Sequence, residues 1–211
     1  MQTPHDVMIL YTANLKADFG LLPRLFTLIQ QTRQRHHRAP QDTLLLDLGS
    51  AWTTQSWICQ ATENRAPYLV MDAMGYHVIR ADGLDVGGII GLQEVVQARL
   101  IDDSVVYRWR QQEVTIHIGP KAGPPCIKWP SDSTPETGTA YTHSPGCLTI
   151  YPPHHALGHV TVQWPAMSVQ TSEQIPFDRS ARPDPSIVAA IEFVESEARY
   201  YAGKKRGTVP K

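Results

Sequence analysis

Three short apolar runs, at residues 7–12, 43–48 and 76–81, each give way to a polar or glycine-bearing loop and then to a segment with helical spacing. This repetition constrains the fold more than any other feature. Val7-Met8-Ile9-Leu10-Tyr11 and Leu44-Leu45-Leu46 are continuous apolar stretches, the pattern of strands buried on both faces. Leu22, Leu25, Phe26 and Ile29 recur at helical spacing, and Pro23 falls in the first turn, where its missing N–H costs nothing. The polar stretch 30–41 reads as a solvated loop that ends this helix. A second helix is expected over 67–74, closed by Gly75, and a third over 91–100. Such β-loop-α alternation predicts a parallel sheet with right-handed crossovers.

The pattern changes near residue 100. Residues 105–109 and 114–118 read as a hairpin. Residues 119–144 are rich in Pro, Gly, Ser and Thr and read as a long loop. Further strands are expected at 147–151 and 158–164, with Pro152-Pro153-His154-His155 as the turn between them. Pro183-Asp184-Pro185 leads into a closing helix over 186–201, striped by Ile187, Ala190, Ile191, Val194 and Ala198. The reading is therefore α/β: a layered, mixed β-sheet flanked by helices. It is treated as one unit over 1–211, with a parallel β-α half (7–100), a β-rich half with its terminal helix (101–202) and a flexible tail (203–211). A chain of 211 residues can bury a substantial core.

Composition excludes several classes of function. A formal net charge of −1 gives no general attraction to nucleic acid or to anionic membrane. No apolar run reaches membrane-spanning length. Residues 1–6 lack the basic start and apolar core of a secretory leader. Cys59, Cys126 and Cys147 are odd in number and share no metal-type spacing, so reduced, buried thiols and a cytoplasmic location are expected. Lys204-Lys205-Arg206 is too short a basic run to imply nucleic-acid binding.

In open α/β sheets, ligands bind beyond the carboxyl ends of the strands, so the loops 13–17, 49–51 and 82–85 are where chemistry is expected. The segment Ile9-Leu10-Tyr11-Thr12-Ala13-Asn14-Leu15-Lys16-Ala17 resembles the opening of calcineurin-like metallophosphoesterases of the 5′-nucleotidase branch, which continue as Thr-Asn-Asp-Leu-His-Gly. Leu44-Leu45-Leu46-Asp47-Leu48-Gly49-Ser50 is similar to that family's Leu-Leu-Asp-x-Gly-Asp segment. Met71-Asp72-Ala73-Met74-Gly75-Tyr76 resembles the approach to its Gly-Asn-His-Glu motif. The segments 156–162 and 183–188 resemble its last strands and terminal helix.

The resemblance implies a phosphoester hydrolase with two metal ions that clamp phosphate and activate water. Position by position, the ligands are replaced. Asn14 stands for the first Asp, Lys16 for the first His and Ser50 for the bridging Asp. The Asn-His pair is absent around Asp82 and Asp85, and no later Gly-His-x-His segment exists. The principal expectation is a degenerate member without the dinuclear centre, acting in binding or regulation. The former metal-site positions, Asn14, Lys16, Asp47, Ser50, Asp82 and Asp85, are the candidate ligand-binding set, and no catalytic residue is assigned. No cofactor is expected.

The main alternative is a nucleotidase- or phosphatase-type hydrolase with an altered site holding one divalent ion (Mn, Fe, Zn or Mg), supported by Asp47, Asp82 and Asp85. A structural partner subunit is the third reading. The expected partners are a phosphate-containing small molecule or a protein. Lys16 with the Gly49-Ser50 N–H groups is read as an anion pocket, weighed against a plain surface lysine. His154, His155 and His159 read as a solvated turn before a strand, not as a relocated metal site. Ser50 lacks a nucleophile elbow, which leaves a hydrolase triad with Asp47 without support. Gly83, Gly87, Gly88 and Gly91 form no dinucleotide fingerprint.

Overall fold

The computed structural model describes residues 5–39, 42–102, 104–109, 112–118, 126–129 and 140–205. The expected β-loop-α alternation is realised as β1 (His5–Thr12), α1 (Leu22–Arg35), β2 (Thr43–Asp47), α2 (Trp57–Ala61), α3 (Arg65–Ala73), β3 (Val78–Arg80), α4 (Val86–Gln93) and β4 (Arg99–Ile101). Strands β1 to β4 are mutually parallel neighbours. Then follow β5 (Ser104–Trp109), β6 (Gln112–Ile118), β7 (Cys126–Trp129), β8 (Tyr141–Ser144), β9 (Cys147–Ile150), β10 (Ala156–Trp164), β11 (Ser168–Pro176) and α5 (Pro185–Lys205).

The first sheet runs β11-β10-β1-β2-β3-β4, and the second β5-β6-β7-β9-β8. Alternation along each buried strand divides the core. Met8, Leu10, Leu45 and Ile79 meet Leu22, Leu25, Ile29, Met71, Ile187 and Val194 on the helical side. Val7, Ile9, Tyr11, Leu44 and Leu46 meet Val114, Ile116, Ile127, Leu148 and Ile150 of the second sheet. The layers are therefore helices, mixed sheet, mixed sheet. Burying the first sheet on both faces is what its continuous apolar runs require.

Several expectations are corrected. Helix α1 continues through the polar stretch to Arg35, because Thr32 and Arg33 extend its buried stripe and Thr32 Oγ1 bonds back to the Leu28 carbonyl. The helix expected over 91–100 is α4, seven residues shorter at its C-terminal end, followed by β4. Asp85 Oδ1 accepts the Gly88 N–H at 2.6 Å and starts the helix early. Asp72 Oδ1 then accepts the N–H groups of Gln97 and Ala98, and Gln93 bonds Ala98 and Leu100, which turns the chain into a strand. Helix α3 begins at Arg65, and Gly75 closes it at φ 78° as its left-handed cap.

Within the expected loop 119–144, residues 126–129 and 141–144 are strands of the second sheet; 119–125 and 130–139 lie outside the described residues. The hairpin expected after residue 100 is present as β5–β6. Strand β11, the partner of β10, and the short helix α2 had no strong periodicity to announce them. Helix α5 runs to Lys205, so the tail expected from 203 is helical at its start, and 206–211 lie outside the described residues.

The thiol reading is also corrected. Cys126 and Cys147 are disulfide-bonded, and only Cys59 is a free, buried thiol. They sit opposite each other on the parallel neighbours β7 and β9 with Cα atoms 4.7 Å apart. No helix among the described residues is long and apolar enough to cross a membrane.

Candidate functional site

The chain segments leaving β1 and β2 stay paired beyond the strands. Asn14 N–H donates to Gly49 O, Lys16 N–H to Ser50 O and Ala17 N–H to Ala51 O. This close run of backbone forces unusual dihedrals: Asn14, Lys16, Ala17 and Ser50 all have positive φ, between 48° and 58°. Such residues cost on the order of 1–3 kcal/mol each unless the surroundings over-determine them, and they concentrate where a protein holds a ligand or makes a switch. Four in two adjoining loops single out this end of the sheet.

The third loop joins them through Asp82. Both of its carboxylate oxygens accept the Ser50 N–H, at 3.2 and 3.0 Å. Arg80 Nε lies 4.0 Å from Asp82 Oδ2 and has no hydrogen-bond partner. Gly49, at φ 119°, lies directly beneath this pair. A Cβ there would stand 2.8 Å from Arg80 Cδ and 2.9 Å from Asp82 Oδ2. The loop is held from below as well: Gly83 donates to Tyr68 OH, accepts from Asn64 Nδ2 and carries the Trp52 indole against its Cα.

Of the six positions proposed from sequence, the structure gathers Asn14, Lys16, Ser50 and Asp82 at one end of the sheet. Asn14 and Lys16 are exposed. Asp47 is adjacent but sealed: it is wholly buried, and its oxygens accept from Thr12 Oγ1 at 3.0 Å and the Gly49 N–H at 3.0 Å. Burial drives its carboxyl well above the ordinary range, reinforced by the Asp82 charge and opposed by those two hydrogen bonds and by Arg80. Thr12 Oγ1 also contacts Tyr76 OH at 2.8 Å, which closes a buried polar chain. Asp85 is spent as the α4 cap. His154 and His155 lean on each other with ring centres 4.5 Å apart, and His159 points elsewhere.

Sequence reasoning missed Arg80, Thr12 and Tyr76. Arg80 carried a readable signal: it is the one charge in the apolar run Val78-Ile79-Arg80-Ala81, at a strand's carboxyl end. Thr12 and Tyr76 looked like ordinary strand residues.

No protein-family model matches this chain, and no curated protein matches its sequence. Solved structures do share its fold. NAD nucleotidase (NadN) from Haemophilus influenzae matches with a TM-score of 0.62 at 9% identity, over 94% of this chain and 68% of that one. The fold is that of the metallophosphoesterases. Sulfate thiohydrolase SoxB from Thermus thermophilus, solved with glycerol, matches with a TM-score of 0.58 at 10% identity, over 86% of this chain and 47% of SoxB. Both neighbours belong to the calcineurin-like metallophosphoesterase superfamily. The chain thus spans about half the length of SoxB.

The buried network gives a prediction with a definite sign. The folded-state pKa of Asp47 lies above its unfolded value, so its stabilisation is complete below the unfolded pKa of 3.8 and is lost as pH rises through the folded value. Asp47→Asn keeps the shape, can donate to Thr12 and accept from Gly49, and does not titrate. It is expected to match the wild type in acid and to exceed it in stability at neutral pH. Asp47→Ala strands the Gly49 N–H and leaves the Thr12 hydroxyl with Tyr76 OH alone, and is expected to cost about 1–3 kcal/mol. Urea unfolding of the three proteins across pH checks this; a neutral-pH loss for Asp47→Asn as large as for Asp47→Ala would refute it.

Proposed function

We propose that this chain is a degenerate phosphoesterase-fold protein whose strand-end site uses protein cations in place of metal ions, and that it acts by binding or regulation instead of hydrolysis. The observation that carries the reading is Arg80. Its guanidinium group lies over Gly49, beside Asp82, and its charge opposes the burial-driven rise of the Asp47 pKa. A fixed positive charge thus stands beside Asp82 and near Asp47, and the exposed Lys16 lies on the loop paired with Ser50.

The donor set does not fit a dinuclear metal centre. Asn14, Lys16 and Ser50 supply no carboxylate or imidazole, Asp47 is sealed, and Asp82 is held by backbone and by Arg80. Among the described residues, this end of the sheet gathers no group of three His, Cys, Asp or Glu donors. Bringing divalent ions beside Arg80 and Lys16 adds like-charge repulsion that no bridging carboxylate offsets. The same two cations, with the strained loop backbone, suit a phosphate-bearing small molecule. Lysine is an effective point-charge partner for phosphate.

Calorimetric titration of chelator-treated protein with inorganic phosphate and a nucleoside monophosphate tests this. Weak binding that fades as salt rises is expected. Lys16→Ala should lower it by about 1–2 kcal/mol, the worth of a charge-assisted hydrogen bond. No binding by the wild type, or equal binding by the variant, would remove the anion site and leave a partner-subunit role as the better account. Manganese-dependent hydrolysis of a phosphomonoester that disappears in Asp82→Ala would establish a single-metal hydrolase instead.

A further inference from the structure

A second cluster lies away from the strand-end loops and does not depend on how they are read. His159 sits on β10 two residues after Leu157, so it projects onto the same helix-bearing face of the sheet. Glu173 is its direct cross-strand partner on β11. His36, the C-cap of α1, covers the pair from above, with its ring centre 4.4 Å from that of His159. His159 and Glu173 face each other across the β10–β11 hairpin, and the fold brings His36 to them from a distant part of the chain.

From this arrangement we infer a mononuclear site for a zinc-class divalent ion, with His36 Nε2, His159 Nδ1 and Glu173 Oε1 as ligands. His159 Nδ1 is 3.2 Å and His36 Nε2 is 3.6 Å from the same Glu173 oxygen, and all three donor atoms lie within 4.8 Å of one another. Donors on a tetrahedral zinc ion, with bonds of about 2.0 Å, stand roughly 3.3 Å apart. Only small side-chain movements separate the observed spacing from that geometry.

Two details favour an ion over a plain hydrogen-bonded pair. His36 Nε2 is inaccessible to solvent and has no hydrogen-bond partner, yet it faces the carboxylate. A buried ring nitrogen left this way is costly unless something fills the gap. His159 is 1% exposed, and its other nitrogen, Nε2, is 3.2 Å from Thr161 Oγ1. That hydroxyl holds the ring and can accept an Nε2–H when Nδ1 coordinates, the role that outer partners of ligating histidines play.

The donor chemistry, two imidazoles and one carboxylate, is borderline-soft and suits zinc better than magnesium or calcium. Three protein ligands leave a fourth position for water or an incoming group. Glu173 is 44% exposed and His36 33%, so an ion can enter from solvent. Arg35, whose charge reaches His159, is the nearby group that opposes the ion.

The test is equilibrium dialysis of the full chain against zinc, read by elemental analysis, with cobalt substitution read by its tetrahedral visible absorption. The wild type is expected to retain one zinc ion per chain. His36→Ala and Glu173→Gln change part-exposed side chains and should each weaken retention by a factor on the order of 100, and abolish the cobalt spectrum. A His154→Ala/His155→Ala double variant should retain the ion, which excludes the exposed histidine pair as its holder. No zinc on the wild type, or unchanged zinc on either single variant, overturns the site. Neither result bears on phosphate titration of chelator-treated protein, so this proposal and the anion-site reading can fail separately.

Discussion

Replacing Gly158 with alanine is expected to cost about 3 kcal/mol, the upper end of what one inserted methyl does in a filled interior. The sign runs against propensity, since glycine inside a strand is ordinarily the weaker choice by about 0.5–1 kcal/mol. Space decides it. Gly158 faces Tyr11 across the antiparallel β1–β10 ladder, and the tyrosine ring lies flat over its Cα. A Cβ there would stand 2.2–2.6 Å from three ring atoms.

The ring has nowhere to go. Tyr11 is fully buried between the two sheets, its hydroxyl reaches the Ala140 carbonyl at 3.4 Å, and burial pushes its pKa up to about 12. Urea unfolding of Gly158→Ala measures the cost. The same change in a Tyr11→Ala background should be nearly free, because the obstructing ring is gone, and the coupling between the two sites should be about as large as the single cost. A Gly158→Ala protein as stable as the wild type would show that the two sheets are not locked together through this ring.

The contrast between Gly158 and Arg80 shows what could be read from the sequence alone. Continuous apolar runs demand burial on both faces, so β1 and β2 and the layered mixed sheet were legible from Met8-Ile9-Leu10 and Leu44-Leu45-Leu46. The strand-end loops followed from that topology, and Asn14, Ser50 and Asp82 do lie together. Side-chain commitments were not legible. Asp47 and Asp85 stood among the candidate ligand positions, but one closes a buried chain with Thr12 and the other caps α4. Nothing in residue type separates a capping Asp from a ligating one; only the position of the next free N–H does. His159 and Glu173 pair across a hairpin whose second strand, β11, no periodicity announced, and no spacing relates His36 to either. The short strands β7 and β8 lacked the run length that makes a strand visible, and each is stabilised by neighbours supplied from elsewhere in the chain.

Removing the Cys126–Cys147 disulfide is expected to cost about 3 kcal/mol. The bridge closes a loop with a sequence separation of 21, and loss of unfolded-chain entropy scales slowly with such lengths. Its placement makes the loss felt across the second sheet. Strand β7 pairs with β6 on one side and β9 on the other, both in parallel, and so has no tight turn to hold it to either neighbour. Both cysteines are buried, so Cys126→Ala/Cys147→Ala keeps the surface unchanged and avoids placing a hydroxyl in the core. The double variant should unfold at lower urea than the oxidised wild type, and the reduced wild type should shift the same way. Thiol titration after denaturation should count one free cysteine in oxidised protein, Cys59, and three after reduction. Three free thiols without reductant, together with a double variant as stable as the wild type, would refute the bridge. A bond of this strength also ties stability to redox environment. It persists where conditions are oxidising and is opposed by cytosolic thiols, so the cytoplasmic location expected from the cysteine count would deprive the second sheet of its main covalent restraint.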